Sequence, residues 1–435
     1  MFDFIKYIQP ANYYRLLRIM PHSVLTDKIS KQELLTQYKD ADSIKIDSLY
    51  YLLQSGEIPD SSQARNNLQS RIVYNTHDNY MFIRRYFSLP QVVYVFFLRL
   101  LSFKNPIVEI WYFSYVLLKV KRVKIIRKDI PEWNSFQSKL LQQKPFISVI
   151  IPTLNRYTYL KDVLSDLENQ SFKNFEIIVV DQSEPLDYSF YRNWNLDIQL
   201  IQQEEKALWL ARNSAIKVSK GDYILLFDDD SRVEEDWIEN HLKCIDFFSN
   251  KISAGVTETL VGGGLGNKDG YFHLSDVFDT GNAMVERSVF NNIGLFDRQF
   301  EKQRMGDSEF GIRALLGGIS IISNPYAKRI HLKVETGGLR QMGSWDAVRP
   351  ESLFSPRPVP SVLYLIRKYH GNKEAFLYLI KHIPQSFMPY KYKGNKLLRI
   401  SFALTFPLFL PLAVIAVSKS WAQSSLKLKN GSIIS

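Results

Sequence analysis

Between residues 146 and 335, short apolar runs alternate with segments whose apolar positions recur at helical spacing. Phe146 to Ile151 is a β-prone run closed by Pro152. Leu160, Val163, Leu164 and Leu167 follow at the i, i+3, i+4, i+7 spacing of a helix with one buried face. Phe175 to Val180 predicts a second strand ending at Asp181, and Ile198 to Ile201 a third. The helix after it presents Ala211, Ser214, Ala215 and Val218 as its inner face, and Tyr223 to Phe227 predicts the fourth strand. A last apolar strand and turn covers Ile319 to Ala327. Strands that alternate with helices predict an α/β domain with a mostly parallel central sheet flanked by helices. Ligands on such sheets gather beyond the carboxyl ends of the strands. Pro152 with Thr153, Asp181, and the triplet Asp228, Asp229 and Asp230 all stand at such ends, so the fold predicts that they share one edge.

The flanking regions read differently. Residues 1–140 predict a helical N-terminal region, with short apolar faces at Leu34, Leu35 and Tyr38 and over Asp47 to Gln54. Val92 to Val120 is strongly apolar, but Arg99, Lys104, Asn105, Pro106 and Glu109 interrupt it. A spanning helix needs about 20 mostly apolar residues. The run therefore reads as an interfacial helical hairpin or as two helices packed on the next domain. Lys119, Lys121, Arg122, Lys124, Arg127 and Lys128 follow, as a solvated face or a contact for anionic headgroups. Residues 341–435 form a basic helical C-terminal region. Pro350, Pro356, Pro358 and Pro360 mark a linker, and Lys391, Lys393, Lys396 and Arg399 supply the charge. Ile400 to Val417 then carries no charge and is interrupted by Pro407 and Pro411. Segment 400–417 predicts attachment to a membrane, spanning it or lying in it; the alternative is a buried hairpin. Positive charge on both sides leaves its orientation open.

Composition narrows the classes. At 435 residues and 46% hydrophobic, the chain has room for two or three domains. The single cysteine, Cys244, excludes an internal disulfide and fits a reducing compartment. Met1 to Ile8 shows no signal-peptide pattern. The net charge of +11 suits anionic partners such as nucleotide phosphates or acidic lipid. No nucleic-acid recognition motif or zinc-ligand spacing is visible, so nucleic acid is not an expected partner.

The acidic triplet is the strongest chemical signal. Three adjacent carboxylates at the end of a buried strand repel one another and resist desolvation. A divalent cation removes that conflict; oxygen ligands suit Mg²⁺ or Mn²⁺, and a phosphate can share the ion. The plainer alternative is an acidic turn in which Asp230 or Ser231 caps a helix over Glu234 to Phe248. The glycines Gly262, Gly263, Gly264 and Gly266 do not complete a dinucleotide fingerprint, because Asn267 stands at its last position. They read as a mobile loop.

Several segments in order and spacing resemble glycosyltransferase family 2, of the GT-A nucleotide-diphospho-sugar transferase fold, over residues 146–339. They are Ser148 to Arg156 (SVIIPTLNR), Ile177 to Ser183 (IIVVDQS), Ala211 to Asn213 (ARN) and Gly221 to Asp230 (GDYILLFDDD). Gly281 to Met284 (GNAM), Ile293 to Asp297 (IGLFD) and Gly306 to Arg313 (GDSEFGIR) continue the series. The resemblance implies a catalytic domain over 146–340 that moves a sugar from a nucleotide diphosphate to an acceptor hydroxyl with inversion. Pro152, Thr153 and Asp181 would hold the nucleoside. Asp181 can accept from a pyrimidine N–H, which favours a UDP- or dTDP-sugar. Arg212 would face the nucleotide. Asp230 would ligate the metal, Asp228 would contact ribose or sugar or join the metal, and Asp229 could share either task. Gly281 and Asn282 would lie near the donor sugar, and His331 would approach the metal or diphosphate. Lys333 with Gly337, Gly338, Leu339 and Arg340 would form a flexible cationic lid. Asp307 is the expected general base. The family's usual glutamate before it is Gly306 here, which bears on acceptor recognition, and Ala207 stands where glycine is frequent. Glu309 is expected at the substrate or in a plain i, i+4 pair with Arg313.

The reading is a metal-dependent sugar transferase, bacterial, at the cytoplasmic face of the cell membrane, acting on a glycan or lipid-linked acceptor in surface polysaccharide or glycolipid synthesis. Two rivals stand beside it. A nucleotidyltransferase would carry a glycine- and lysine-rich phosphate loop where Pro152, Thr153, Leu154 and Asn155 stand. A non-catalytic membrane scaffold would have no need of Asp228, Asp230 and Asp307.

Overall fold

The structure, a computed structural model, describes residues 4–8, 38–58, 75–259, 270–275, 278–334, 338, 348, 350, 352–389, 392 and 394–434. The expectations for Leu34, Leu35, Gly262 to Asn267, Gly337, Leu339, Arg340, Lys391 and Lys393, and for the side chains of Lys396 and Arg399, lie outside the described residues. The chain divides into two compact units, Met1–Lys128 with His370–Leu379, and Asp129–Tyr369 with Ile380–Ser435.

The second unit is built on a nine-stranded sheet. Its strands are β1 Ile147–Thr153, β2 Phe175–Asp181, β3 Ile198–Gln202, β4 Tyr223–Phe227, β5 Ser231–Val233, β6 Ile252–Thr259, β7 His273–Leu274, β8 Asn282–Glu286 and β9 Ile322–His331. Their order is β3-β2-β1-β4-β8-β6-β9-β5, with β7 paired to β9. β3, β2, β1 and β4 run parallel, as the alternation with helices requires. β8 then lies antiparallel to β4, so the other half of the sheet is mixed.

β1 and β2 are buried at every position, which is why they read as nearly continuous apolar runs. Leu160, Val163, Leu164 and Leu167 of the helix Tyr157–Glu168 are fully buried against Ile147, Val149 and Ile177. Pro152 lies inside β1 rather than closing it, because the ladder to β4 has already stopped at Ile150 and Leu226.

Three local expectations need correction. In the helix Leu208–Val218, Val218 is 42% exposed and Ile216 is buried instead. Arg212 turns that face inward, because its guanidinium is held by Asp228. The helix expected from Glu234 starts at Trp237 with Asp236 at its cap, so neither Asp230 nor Ser231 caps it. The ladder partner of Ser231 is His331, and Ser231 to Val233 are drawn into β5 by that pairing. For the same reason β9 continues to His331, which ends the strand instead of following it.

The C-terminal helix Lys396–Asn430 has 35 residues, about 52 Å at 1.5 Å per residue. Its two halves differ. Leu397, Ile400, Leu404 and Leu408 are exposed, whereas Ala413, Ala416, Ser420 and Ser424 form a buried stripe of small residues. Ser420 Oγ donates to the Pro358 carbonyl (2.6 Å), and the Arg367 guanidinium lies 4.2 Å from the Trp421 ring. Beyond the helix, Ile433 N donates to Asp297 Oδ1 (3.0 Å) and Gln299 Nε2 to the Gly431 carbonyl (2.9 Å). The second half of this helix is therefore docked on its own unit. By length and composition Leu404–Asn430 is apolar enough to cross a membrane.

In the first unit, Val92 to Val120 resolves into the helices Leu89–Leu101 and Pro106–Lys119. Asn105 caps the second by accepting from Ile107 N and Val108 N, and Pro106 sits in its first turn. A bidentate pair between Arg85 and Asp47 (3.0 Å each) and the Tyr38 hydroxyl on Asp47 (2.6 Å) are buried in this unit.

Candidate metal and nucleotide site

β4 ends at Phe227 and delivers the acidic triplet to the edge where β1 and β2 also end. Each of the three carboxylates meets at least one cationic side chain. Asp228 accepts from Arg212 Nη2 and from Arg329 Nη1, both at 2.8 Å. Asp229 accepts from Arg156 Nη1 (2.9 Å) and Thr153 Oγ1 (2.8 Å). Burial pushes the Asp229 carboxyl up to about 6, although Arg156 opposes the rise. Asp230 lies 3.2 Å from His331 Nε2 and accepts from Arg156 Nη1 at 3.2 Å. Burial works against ionisation of Asp230, but His331 and Arg156 outweigh it and hold the carboxyl below its ordinary range.

The repulsion inferred from sequence is thus relieved in part by Arg156, Arg212 and Arg329. The donor geometry still suits a cation. Asp228, Asp230 and His331 each offer one ligand atom, and these atoms lie within 4.8 Å of one another. Two carboxylate oxygens and one imidazole nitrogen fit a small, oxygen-preferring divalent ion, so the residues present fit Mg²⁺ or Mn²⁺. Asp229 is outside that group: its bonds go to Thr153 and Arg156.

Thr153 and Asp181 are register partners on β1 and β2. Asp181 is fully buried and accepts from Tyr157 OH (2.8 Å), Tyr191 OH (2.7 Å) and Ser183 N (2.8 Å). Asp181 thus caps the turn after β2 through Ser183 N, with two phenols added that the sequence did not announce.

Gly281 allows the backbone to pass beside Asp228. A Cβ there would stand 1.9 Å from Arg329 Nη1 and 2.2 Å from Asp228 Oδ2. Gly281→Ala should lower stability by about 1–3 kcal/mol, the usual range for overpacking, and weaken divalent-cation binding because Asp228 must move. Urea melts with and without Mn²⁺ check both effects. Asn282 pairs with Phe227 at that edge, but its side chain turns into the core. Its Oδ1 meets Trp237 Nε1 (2.8 Å) and His241 Nε2 (3.1 Å), and its Nδ2 donates to the Val256 (3.1 Å) and Ala327 (3.0 Å) carbonyls. All four capacities of the amide are used inside the core, which corrects the expectation of contact with a sugar.

Asp307 lies in the first turn of the helix Gly306–Leu316, half-buried, and its Oδ1 accepts from Ser308 N at 2.7 Å. The helix Leu208–Val218 ties it to the triplet. Trp209 packs beside Gly306, and one turn later Arg212 holds Asp228. A Cβ on Gly306 would stand 2.3 Å from Trp209 Cζ2. The indole therefore occupies the space that a side chain at position 306 would enter. Gly306→Ala should be destabilising by about 1–3 kcal/mol, and Trp209→Ala in the same chain should reduce that penalty. A double-mutant cycle on urea midpoints measures the coupling; purely additive effects would show that the two do not compete for space.

Glu309 also needs correction. It is fully buried and accepts from Arg313 Nε (2.9 Å), Lys368 Nζ (2.9 Å) and Tyr369 OH (2.6 Å). Its contacts join two helices of the same unit and leave it no direction toward a substrate. Beyond β9, Leu332 N donates to the Asp230 carbonyl (3.0 Å) and Gly338 N to the Leu154 carbonyl (2.9 Å). Arg156 Nη2 reaches the Val334 carbonyl at 3.2 Å.

Sequence reading gave Arg156 no role and passed over Arg329 and Asp279. Arg329 carried a usable signal, since it stands two residues before His331 on one strand and hence on the same face. Asp279, which binds Arg329 Nη2 at 3.0 Å, had no such signal.

Residues 148–294 match the family model described as Glycosyl transferase family 2. Glycosyltransferase GlyA of Streptococcus pneumoniae serotype 4 is 30% identical over 165 residues, 37% of this chain and 22% of that protein. A Methanococcus voltae protein is 24% identical over 213 residues, 41% of this chain and 64% of its own length. It is the dolichyl N-acetyl-alpha-D-glucosaminyl phosphate 3-beta-D-2,3-diacetamido-2,3-dideoxy-beta-D-glucuronosyltransferase. The chain thus spans less than two thirds of either relative. Among solved structures, residues 1–349 of Staphylococcus aureus TarS with UDP-GlcNAc align with a TM-score of 0.43 and 19% identity, covering 64% of this chain and 88% of that one. The match to glycosyl transferase family 2 thus lies in residues 148–294, the segment that carries β1 to β4 and the acidic triplet of the mixed α/β sheet.

Proposed function

We propose that the chain transfers a sugar from a nucleotide-diphosphate donor to an acceptor hydroxyl, in a single displacement with inversion. The observation that carries this reading is the convergence of Asp228, Asp230 and His331 within 4.8 Å at the end of β4. Those three residues would hold Mg²⁺ or Mn²⁺. When bound, the ion supplies positive charge for the departing diphosphate. Arg156, already turned toward Asp229 and Asp230, adds fixed positive charge at the same edge. In this reading Thr153 and Asp181 would hold the nucleoside, and a pyrimidine N–H donating to Asp181 would favour a uridine or thymidine donor. Asp307, half-buried at a helix N-terminus, takes the proton of the attacking hydroxyl. One displacement with one base needs no enzymic nucleophile. Incubating the purified chain with UDP-sugars and dTDP-sugars, Mn²⁺ and a glycan or lipid extract tests the reading. Acceptor-dependent release of UDP or dTDP supports it; the absence of release from every UDP- and dTDP-sugar contradicts it.

The acceptor reading is surface glycan or lipid-linked sugar, made at the cytoplasmic face of a bacterial membrane. The exposed half of the C-terminal helix supports attachment. Leu397, Ile400, Leu404 and Leu408, all exposed on that half, would face the lipid. Leu404→Lys with Leu408→Lys should lower the share of the protein in the membrane pellet while its thermal midpoint stays put. Unchanged pelleting without aggregation would place the anchor elsewhere.

A further inference from the structure

We propose that the tip of the helical hairpin formed by Leu89–Leu101 and Pro106–Lys119 inserts into the interface of an anionic lipid bilayer, as a contact separate from the C-terminal helix. The hairpin has two unlike faces. Its inner face carries Val92, Val95, Arg99, Glu109 and Val116, all buried. There Glu109 accepts from Arg99 Nε (3.1 Å) and from Tyr80 OH (2.7 Å), and Phe96 stacks on Phe113 at 4.2 Å. This inner lock holds the two helices to each other and to the helix Thr76–Tyr86. It leaves the other face with Phe97, Leu101, Phe103, Ile107, Trp111 and Leu118 exposed, and Phe103 at the tip is 99% exposed.

An apolar face of this size calls for an occupant, and charge selects a lipid one. From Leu89 to Lys128 the only acidic residue is Glu109, and it is buried. Lys104 stands at the tip and Lys119, Lys121, Arg122 and Lys124 at the base of the second helix, all exposed. An apolar surface rimmed only by cations complements an anionic headgroup layer over an acyl boundary. Helices of 13 and 14 residues are about 20 Å long, too short to cross the ~30 Å core. Shallow burial of about 5–10 Å is the geometry that fits. The inference does not depend on sugar transfer.

The test uses the full chain with Phe103→Cys, labelled with an environment-sensitive maleimide dye. Cys244 is fully buried, so the new thiol is the reactive one, and a side chain 99% exposed can be replaced without unpacking anything. Vesicles of phosphatidylglycerol and phosphatidylcholine are the probe. The expected result is a blue shift of the dye and its quenching by nitroxide-bearing lipids, with neither seen on pure phosphatidylcholine. Lys119→Gln, Lys121→Gln and Lys124→Gln together should weaken the dye response on the order of 10²-fold in lipid concentration. A dye that stays in water while the protein floats with the vesicles overturns the proposal, because the C-terminal helix alone would then be the anchor. A blue shift that grows with protein concentration in the absence of vesicles also overturns it, in favour of a second copy of the chain.

Discussion

Asp307→Asn is expected to bind donor nearly as the wild type does and to lose transfer by roughly 10²–10⁴-fold, the usual worth of a positioned base. Asp307 is placed in the first turn of the helix Gly306–Leu316, where unpaired backbone N–H groups favour an ionised carboxylate. Its Oδ1 already accepts from Ser308 N at 2.7 Å, which fixes the carboxylate's orientation. Asn preserves size and that bond but cannot take a proton from a hydroxyl. Glu309→Gln is the control. Glu309 is fully buried among Arg313, Lys368 and Tyr369, so its loss should lower the melting temperature and leave turnover per folded molecule close to normal. Donor affinity by calorimetry and transfer rate with one acceptor extract, measured on both variants, separate the outcomes. Near-normal transfer by Asp307→Asn would remove Asp307 from the chemistry.

Asp230→Ala is expected to abolish Mn²⁺-dependent binding of UDP with the fold retained. Asp230 is one of the two carboxylates in the candidate ligand set, and His331 and Arg156 hold it below its ordinary range. Removing it leaves an incomplete set and frees His331 from its nearest acid. The fold should survive, because Arg156 keeps its 2.9 Å bond to Asp229 and one of three crowded negative charges is gone. Calorimetric titration of UDP in Mn²⁺ and again in EDTA should show strong metal dependence in the wild type and none in the variant. Equal metal-dependent affinity in both would refute Asp230 as a ligand.

The parallel half of the sheet was legible because β1, β2 and β4 are buried on both faces, which forces near-continuous apolar runs with the acids Asp181 and Asp228 at their carboxyl ends. The meeting of Thr153, Asp181 and the triplet followed from that alone. What was not legible depends on contacts between residues far apart in sequence. Nothing near Asn282 announces that Trp237, His241 and two carbonyls will use its whole amide. Nothing near Glu309 announces Lys368 and Tyr369, some 60 residues away. Nothing near Gly306 announces that the Trp209 indole fills the space where its side chain would stand. The C-terminal helix read as one apolar run, and its division into an exposed half and a docked half rests on small residues at Ala413, Ala416, Ser420 and Ser424.

The central claim is that Asp228, Asp230 and His331 form one divalent-cation site on which the donor diphosphate is held. Electron paramagnetic resonance of Mn²⁺ bound to the full chain in the presence of UDP tests it most directly. The account predicts one tightly bound Mn²⁺ with a directly coordinated nitrogen coupling and phosphorus couplings, the nitrogen signal disappearing in His331→Gln while the phosphorus signals remain. Mn²⁺ that stays free at micromolar protein and UDP, or a bound ion whose nitrogen coupling is unchanged in His331→Gln, would contradict it.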